Sequence, residues 1–84
     1  MTEGSWNVYI LRCADGTLYT GIAPDVKKRL QKHNEGKGAK YTRGRTPVEL
    51  VYQEPYPNRA EASKREYQIK QLSRAEKLDL IEKK

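Results

Sequence analysis

Five side chains in this sequence have the types and spacing to do chemistry: Tyr9, Tyr19, Arg29, His33 and Glu66. A phenol can move a proton once its pKa is brought down from about 10, a guanidinium makes forked bonds to phosphate, and a carboxylate can hold a hard cation. Each also has an ordinary use. Strand tyrosines pack across strands, a lone histidine beside an apolar stripe is usually a satisfied boundary residue, and an arginine can be a surface ion pair. Glu66 is harder to dismiss, because Ala62, Glu66, Ile69 and Leu72 fall on one helical stripe and the carboxylate interrupts it. A charge there needs a partner: Lys70 one turn on, Arg65, Arg29, or a metal.

The elements that must position these residues follow from local patterns. Trp6–Arg12 alternates Trp6, Val8 and Ile10 with Asn7, Tyr9 and Leu11, which predicts a strand covered on both faces. A second strand runs from Leu18 to Ile22, and the turn between the two sets the site. With a two-residue turn at Asp15-Gly16, Tyr19 lies opposite Arg12 and the tyrosines face apart. With a three-residue turn, Ala14-Asp15-Gly16, Gly16 is left-handed, Leu11 lies opposite Tyr19, and both tyrosines share a face. Asp-Gly followed by Thr17 favours the second register.

Helix one is expected from Pro24, with Asp25 in its first turn, to Asn34 and Gly36, placing Arg29 and His33 at the border of the core. Residues 36–47 read as a glycine-rich basic loop around Tyr41 whose spacing is not that of a P-loop. Val48–Tyr52 is a third strand, ended by Glu54-Pro55-Tyr56-Pro57. Asn58 and Glu61 open helix two, about residues 59–72, and Ser73 and Glu76 open a third helix whose Leu78 and Ile81 pack back.

An 84-residue chain with 36% hydrophobic residues is expected to form one α/β domain of the α+β type, spanning 1–84 with its core at about 6–82. Its small, three-stranded, mainly antiparallel sheet would be flanked by about three helices. No apolar run reaches the ~20 residues of a membrane span, and the polar opening Met1–Ser5 lacks a signal-peptide core, so no membrane partner and a cytoplasmic location are expected. One cysteine and one histidine exclude an internal disulfide and a Cys/His zinc site.

The net charge is +6, and it is concentrated. Lys27, Lys28, Arg29, Lys32, Lys37, Lys40, Arg43 and Arg45 face a single acid, Glu35, over nineteen residues. Such a stripe suits a polyanion, because each neutralised phosphate releases condensed counterions. The candidate nucleic-acid contacts are therefore Lys27, Lys28 and Lys32 on helix one, and Lys37, Lys40, Tyr41, Arg43 and Arg45 in the loop.

The paired segments Asn7-Val8-Tyr9 and Tyr19-Thr20-Gly21, with Arg29, His33 and Glu66 following in order, resemble the GIY-YIG nuclease superfamily. HNEGKGAKYTRGRTPVELVY and KREYQIKQLSRAEKLDLI look most like its short, single-domain YhbQ-like members. Tyr9, Tyr19 and Gly21 match the motif letters. Thr20 replaces isoleucine while keeping β-branching, and Leu78 stands where some relatives carry an asparagine.

The resemblance implies phosphodiester hydrolysis in DNA, branched or single-stranded, with one Mg²⁺ (or Mn²⁺) held by Glu66 and a place in DNA repair. It further implies that Arg29 holds the phosphate, Tyr19 is the general base, and Tyr9 and His33 orient the water or the phosphate. A free tyrosine is about three pH units from a useful base, roughly 4 kcal/mol. One cation at ~4 Å in an effective dielectric of about 20 offsets that much before desolvation. The competing expectations are a noncatalytic DNA- or RNA-binding module with the same fold, or an interaction domain recruited by a repair or ribosomal partner.

Overall fold

The computed structural model describes residues 5–83; the opening residues 1–4 invoked for the missing signal core lie outside the described residues. The elements in order are β1 (Trp6–Arg12), β2 (Leu18–Ala23), α1 (Val26–Asn34), a short 3₁₀ turn (Lys40–Thr42), β3 (Glu49–Tyr56), α2 (Arg59–Lys70) and α3 (Arg74–Lys83). The sheet is antiparallel in the order β2-β1-β3, with β1 central. With three helices about it, this is the α+β architecture expected of the chain. Among the described residues, no helix is long and apolar enough to cross a membrane.

The hairpin takes the three-residue turn. Cys13 N–H donates to the Thr17 carbonyl at 2.8 Å, Gly16 N–H donates to the Cys13 carbonyl at 2.9 Å, and Gly16 sits at φ +87°. Asp15 fixes the corner by accepting from both the backbone N–H and the hydroxyl of Thr17. Leu11 therefore pairs with Tyr19, and Tyr9 with Gly21.

Because side chains alternate along β1, the central strand feeds two cores. Val8 and Ile10 pack with Tyr52, Ala62 and Ile69 under α2 and α3. Tyr9 and Leu11 pack with Cys13, Ala23, Val26 and Val48 on the α1 side. All four β1 residues are at most 1% exposed, the two-faced burial expected of that strand.

Several boundaries differ from the sequence expectation. β3 runs on through Glu54-Pro55-Tyr56, because it is an edge strand and an edge tolerates a residue without an N–H. Glu54 ties that extension to α2 by accepting from Tyr52 and Tyr56 hydroxyls and from Arg65 Nε at 2.7–2.9 Å. Helix one starts at Val26 rather than Pro24, since Asp25 is the N-cap and accepts from Lys28 N–H at 3.1 Å. α2 ends at Lys70, short of residue 72. Asn58 caps it as expected, and Ser73 and Glu76 exchange both bonds of a capping box. Leu80 and Ile81 carry α3's packing, whereas Leu78, expected to join them, is half-buried and outside both clusters.

Thr20, in place of the motif isoleucine, keeps β2 paired but buries its hydroxyl without a partner among the described residues. An unsatisfied buried hydroxyl costs about 1–3 kcal/mol. Thr20→Val keeps the shape and removes the orphan, so a gain of about 1 kcal/mol, or ~4–8 °C in Tm, is expected in thermal melts. A loss of stability would mean that Thr20 Oγ1 has a partner.

Candidate active site

The hairpin register places Tyr9 and Tyr19 on the α1 face, their ring centroids 6.3 Å apart. His33 joins from α1, with its ring 6.1 Å from Tyr9 and 5.3 Å from Tyr19, both edge-on. Such separations and tilts are those favoured by aromatic quadrupoles. Tyr41, from the 3₁₀ turn, extends the cluster at 5.8 Å from Tyr19.

Gly21 makes room for this arrangement. A Cβ there would lie 2.8 Å from Tyr9 Oη, 2.9 Å from Tyr9 Cζ and 3.0 Å from Tyr19 Cε2. The obstacle is a buried ring that cannot swing aside. Gly21→Ala is therefore expected to cost about 1–3 kcal/mol by overpacking and to move the Tyr9 hydroxyl off its partner. Urea melts and a shifted Tyr9 ring resonance would show this; an unperturbed ring would remove the steric account.

His33 is buried rather than bordering the core, at 1% exposure, because both ring nitrogens find partners. Nε2 lies 3.0 Å from Tyr9 Oη, and Nδ1 lies 2.8 Å from Thr42 Oγ1. Thr42 Oγ1 also lies 2.9 Å from the Ala39 carbonyl, and the Ala39 N–H donates toward Nδ1 at 3.4 Å, so the loop closes on the ring through both its hydroxyl and its backbone. Sequence reasoning missed Thr42, whose only signal is its place next to Tyr41 in the loop.

Burial, then the charge of Arg29, lowers the His33 pKa below its ordinary value. The unfolded chain therefore takes up a proton near pH 6.5 that the folded chain resists. His33 contributes its stability above that pH and loses it as pH falls through the depressed folded value. Thermal melts from about pH 7.5 to 5 should fall in the native chain and flatten in His33→Gln. Equal slopes would place the titrating group elsewhere.

The tyrosine hydroxyls differ. Tyr9, 1% exposed and bonded to His33, has its pKa pushed far up by burial and then by Tyr19, against the pull of Arg29. Burial also raises Tyr19, which is half-buried; the Lys70 ammonium pulls it down, Glu66 pushes it up, and Arg29 pulls it down again. In the free protein the two cations do not overcome burial, so both phenols are protonated at neutral pH. Desolvation, which had to be set against the pull of a nearby cation, is thus the larger effect at Tyr19.

Arg29 projects from the exposed face of α1 and lines a basic cleft of about 200 Å³ with Pro24, Asp25, Lys28 and Lys32. Its charge reaches the Tyr9 and Tyr19 hydroxyls and His33. Glu66 comes from α2, which packs against β2, and its charge reaches both tyrosines. Its carboxylate is 23% exposed and pairs through Oε2 with Lys70 at 3.2 Å, whereas Arg65 serves Glu54. All five chemistry-bearing residues thus meet within electrostatic reach. Lys70, expected only as a salt-bridge partner, also belongs to this environment.

The basic residues divide. Lys27, Lys28, Lys32, Lys37, Lys40 and Arg43 are exposed. Arg45 is engaged within the protein, stacking 4.4 Å over the Tyr41 ring and pairing with Asp15 at 3.6 Å.

Among the described residues there is no cluster of three or more Cys, His, Asp or Glu that could hold a metal. An ion at this site would have Glu66 as its one protein carboxylate. That donor set suits Mg²⁺ or Mn²⁺, which accept water and phosphate oxygens for the remaining positions, and does not suit zinc.

Comparison with known proteins identifies the family to which this fold belongs. The family described as the GIY-YIG catalytic domain matches residues 5–79. The UPF0213 protein SERP0126 of Staphylococcus epidermidis is 61% identical over 75 residues, covering 89% of this chain and 92% of that protein. The UPF0213 protein SA0446 of Staphylococcus aureus is 58% identical over 77 residues, covering 92% and 94%. Among solved structures, the UPF0213 protein BH0048 of Bacillus halodurans superposes with a TM-score of 0.63 at 50% identity, covering 95% of this chain and 85% of that one. Members of the family are usually endonucleases, act on nucleic acid and generally use divalent metal ions. The chain belongs to the GIY-YIG family, alongside these UPF0213 proteins.

Proposed function

We propose that this protein is a divalent-metal-dependent endonuclease that hydrolyses phosphodiester bonds in DNA, selects substrates by structure and serves DNA repair in the cytoplasm. The observation that carries the reading is the Tyr9–Tyr19–His33 ring cluster, with Arg29 from α1 and Glu66 from α2 near enough for their charges to act on both tyrosine hydroxyls. No packing role requires a cation and a carboxylate from different helices to converge on two phenols.

In this reading Arg29 grips the scissile phosphate with forked bonds that strengthen as charge develops on its oxygens. Tyr19, half-buried and under the charges of Lys70 and Arg29, gives its proton to solvent, and the phenolate then takes one from the attacking water as the new O–P bond forms. The scissile P–O bond breaks, and the leaving sugar oxygen takes a proton from solvent. Tyr9 and His33 are positioning residues: their mutual bond keeps the aromatic wall in place beside Tyr19. Glu66 would hold Mg²⁺ or Mn²⁺, whose chemistry is to stabilise charge on phosphate oxygens. Lys27, Lys28, Lys32, Lys37, Lys40 and Arg43 guide the backbone, with Tyr41 and Arg45 at the edge of the site.

The Lys70–Glu66 pair favours one alternative, a noncatalytic DNA- or RNA-binding module, because a cation already neutralises the carboxylate. Incubation of the purified chain with single-stranded, duplex and branched DNA, in Mg²⁺ or Mn²⁺ and in chelator, separates the two. Cutting in metal that stops in chelator is expected. Binding that falls steeply with salt, with no cutting of any substrate, would overturn the enzyme and leave the module.

A further inference from the structure

Next to the five-residue constellation lies a second cleft of about 200 Å³, lined by Thr17 and Leu18 of the hairpin, Tyr41, and Arg74 and Lys77 of α3. Three elements distant in sequence build it. Tyr41 is 43% exposed, yet its ring is held by the stacked Arg45, itself anchored on Asp15. An exposed aromatic already fixed in place costs little further ordering when a ligand arrives.

Arg74 and Lys77 are three residues apart on α3 and therefore neighbours on its surface. Among the described residues neither takes part in an ion pair. An aromatic wall with two uncommitted cations is the chemistry of a nucleotide: a flat ring against the tyrosine and a phosphate against the cations. The Tyr41 ring is 5.8 Å from Tyr19, so the cleft adjoins the site of hydrolysis at the reach of a neighbouring nucleotide.

We propose that this cleft is a subsite for one unpaired nucleotide adjacent to the scissile phosphate, its base packed against Tyr41 and its backbone phosphate held by Arg74 and Lys77. The inference rests on the nuclease reading for its substrate class and adds a requirement to it. A base within a duplex must be unstacked and unpaired before it can enter. The enzyme would then act where a strand is single, frayed or displaced, as at a junction.

The test uses the full chain in chelator, so that binding is read without cleavage. The probe is a short single-stranded oligodeoxynucleotide carrying one 2-aminopurine, with its fully paired duplex as comparison. Quenching of the single strand and none of the duplex is expected. Tyr41→Ala should abolish the quench and weaken binding about ten- to a hundredfold, while Tyr41→Trp retains it. Arg74→Ala with Lys77→Ala should lower the salt slope of binding by about 0.7 for each phosphate that is no longer neutralised. Circular dichroism melts on each variant verify the fold. A quench that persists in Tyr41→Ala, or duplex binding equal to single-strand binding in every variant, overturns the subsite. Quenching without metal-dependent cutting removes the enzyme and keeps the subsite; cutting without quenching does the reverse.

Discussion

Glu66→Gln is expected to abolish metal-dependent cleavage, by about three orders of magnitude or more, and to leave DNA binding intact. The reason lies in the donor set. Among the described residues there is no cluster of three or more carboxylates, histidines or cysteines to take over a metal that loses Glu66. Metal stabilisation of transition-state charge is worth several kcal/mol, and each ~1.4 kcal/mol is a factor of ten in rate. Glutamine keeps the shape but not the charge, so α2 and its contacts with β2 should persist, with the loss confined to the Lys70 bridge. That bridge is a partly exposed i,i+4 pair worth a few tenths of a kcal/mol, too little to unfold the helix. Binding depends on the exposed lysines of α1 and the loop, and removing a nearby negative charge can only favour a polyanion. Cleavage rates and filter-binding constants measured on the same preparation test this. Equal cutting by the variant would point to a contaminating nuclease or to another site.

What could be read from the sequence was what depends on neighbours in the chain. Asp15, Gly16 and Thr17 contain the turn, and the turn contains the register that brings Tyr9 and Tyr19 to one face. The capping pairs Asn58–Glu61 and Ser73–Glu76 are equally local, as is the stripe that sets Glu66 apart. Features made by distant partners were not legible. Pro55 ends most strands, and only the sheet order reveals that β3 is an edge where it need not. His33 reads as a boundary residue until Thr42 and Tyr9 supply bonds to its two nitrogens. Arg74 and Lys77 carry no sign of a site until α3 is docked beside the hairpin and Tyr41. The electrostatics of Tyr19 are the instructive case, because the sequence names the cations while the burial that outweighs them depends on how the hairpin packs.

That burial makes a sharp prediction for Tyr19→Phe and for the pH dependence of cleavage. The substitution deletes one oxygen from a half-buried ring whose hydroxyl makes no hydrogen bond within the aromatic cluster's own network, so the hairpin and its packing should survive. A general base is worth about 10²–10⁴ in rate, and a loss of that size is expected. Because the folded pKa lies above the usual value of about 10, the ionised fraction at neutral pH is below roughly one in a thousand and rises about tenfold per pH unit. The native rate should therefore climb with a slope near one from about pH 6.5 to pH 9, without levelling in the neutral range. In Tyr19→Phe the residual rate should lose that slope. Tyr9→Phe tells the two phenols apart: the Tyr9 hydroxyl is tied to His33 and has its pKa raised still further from use, so its loss should lower the rate while the slope remains. If Tyr9→Phe flattens the profile and Tyr19→Phe does not, the base is Tyr9, and the bond to His33 would be the device that accepts its proton.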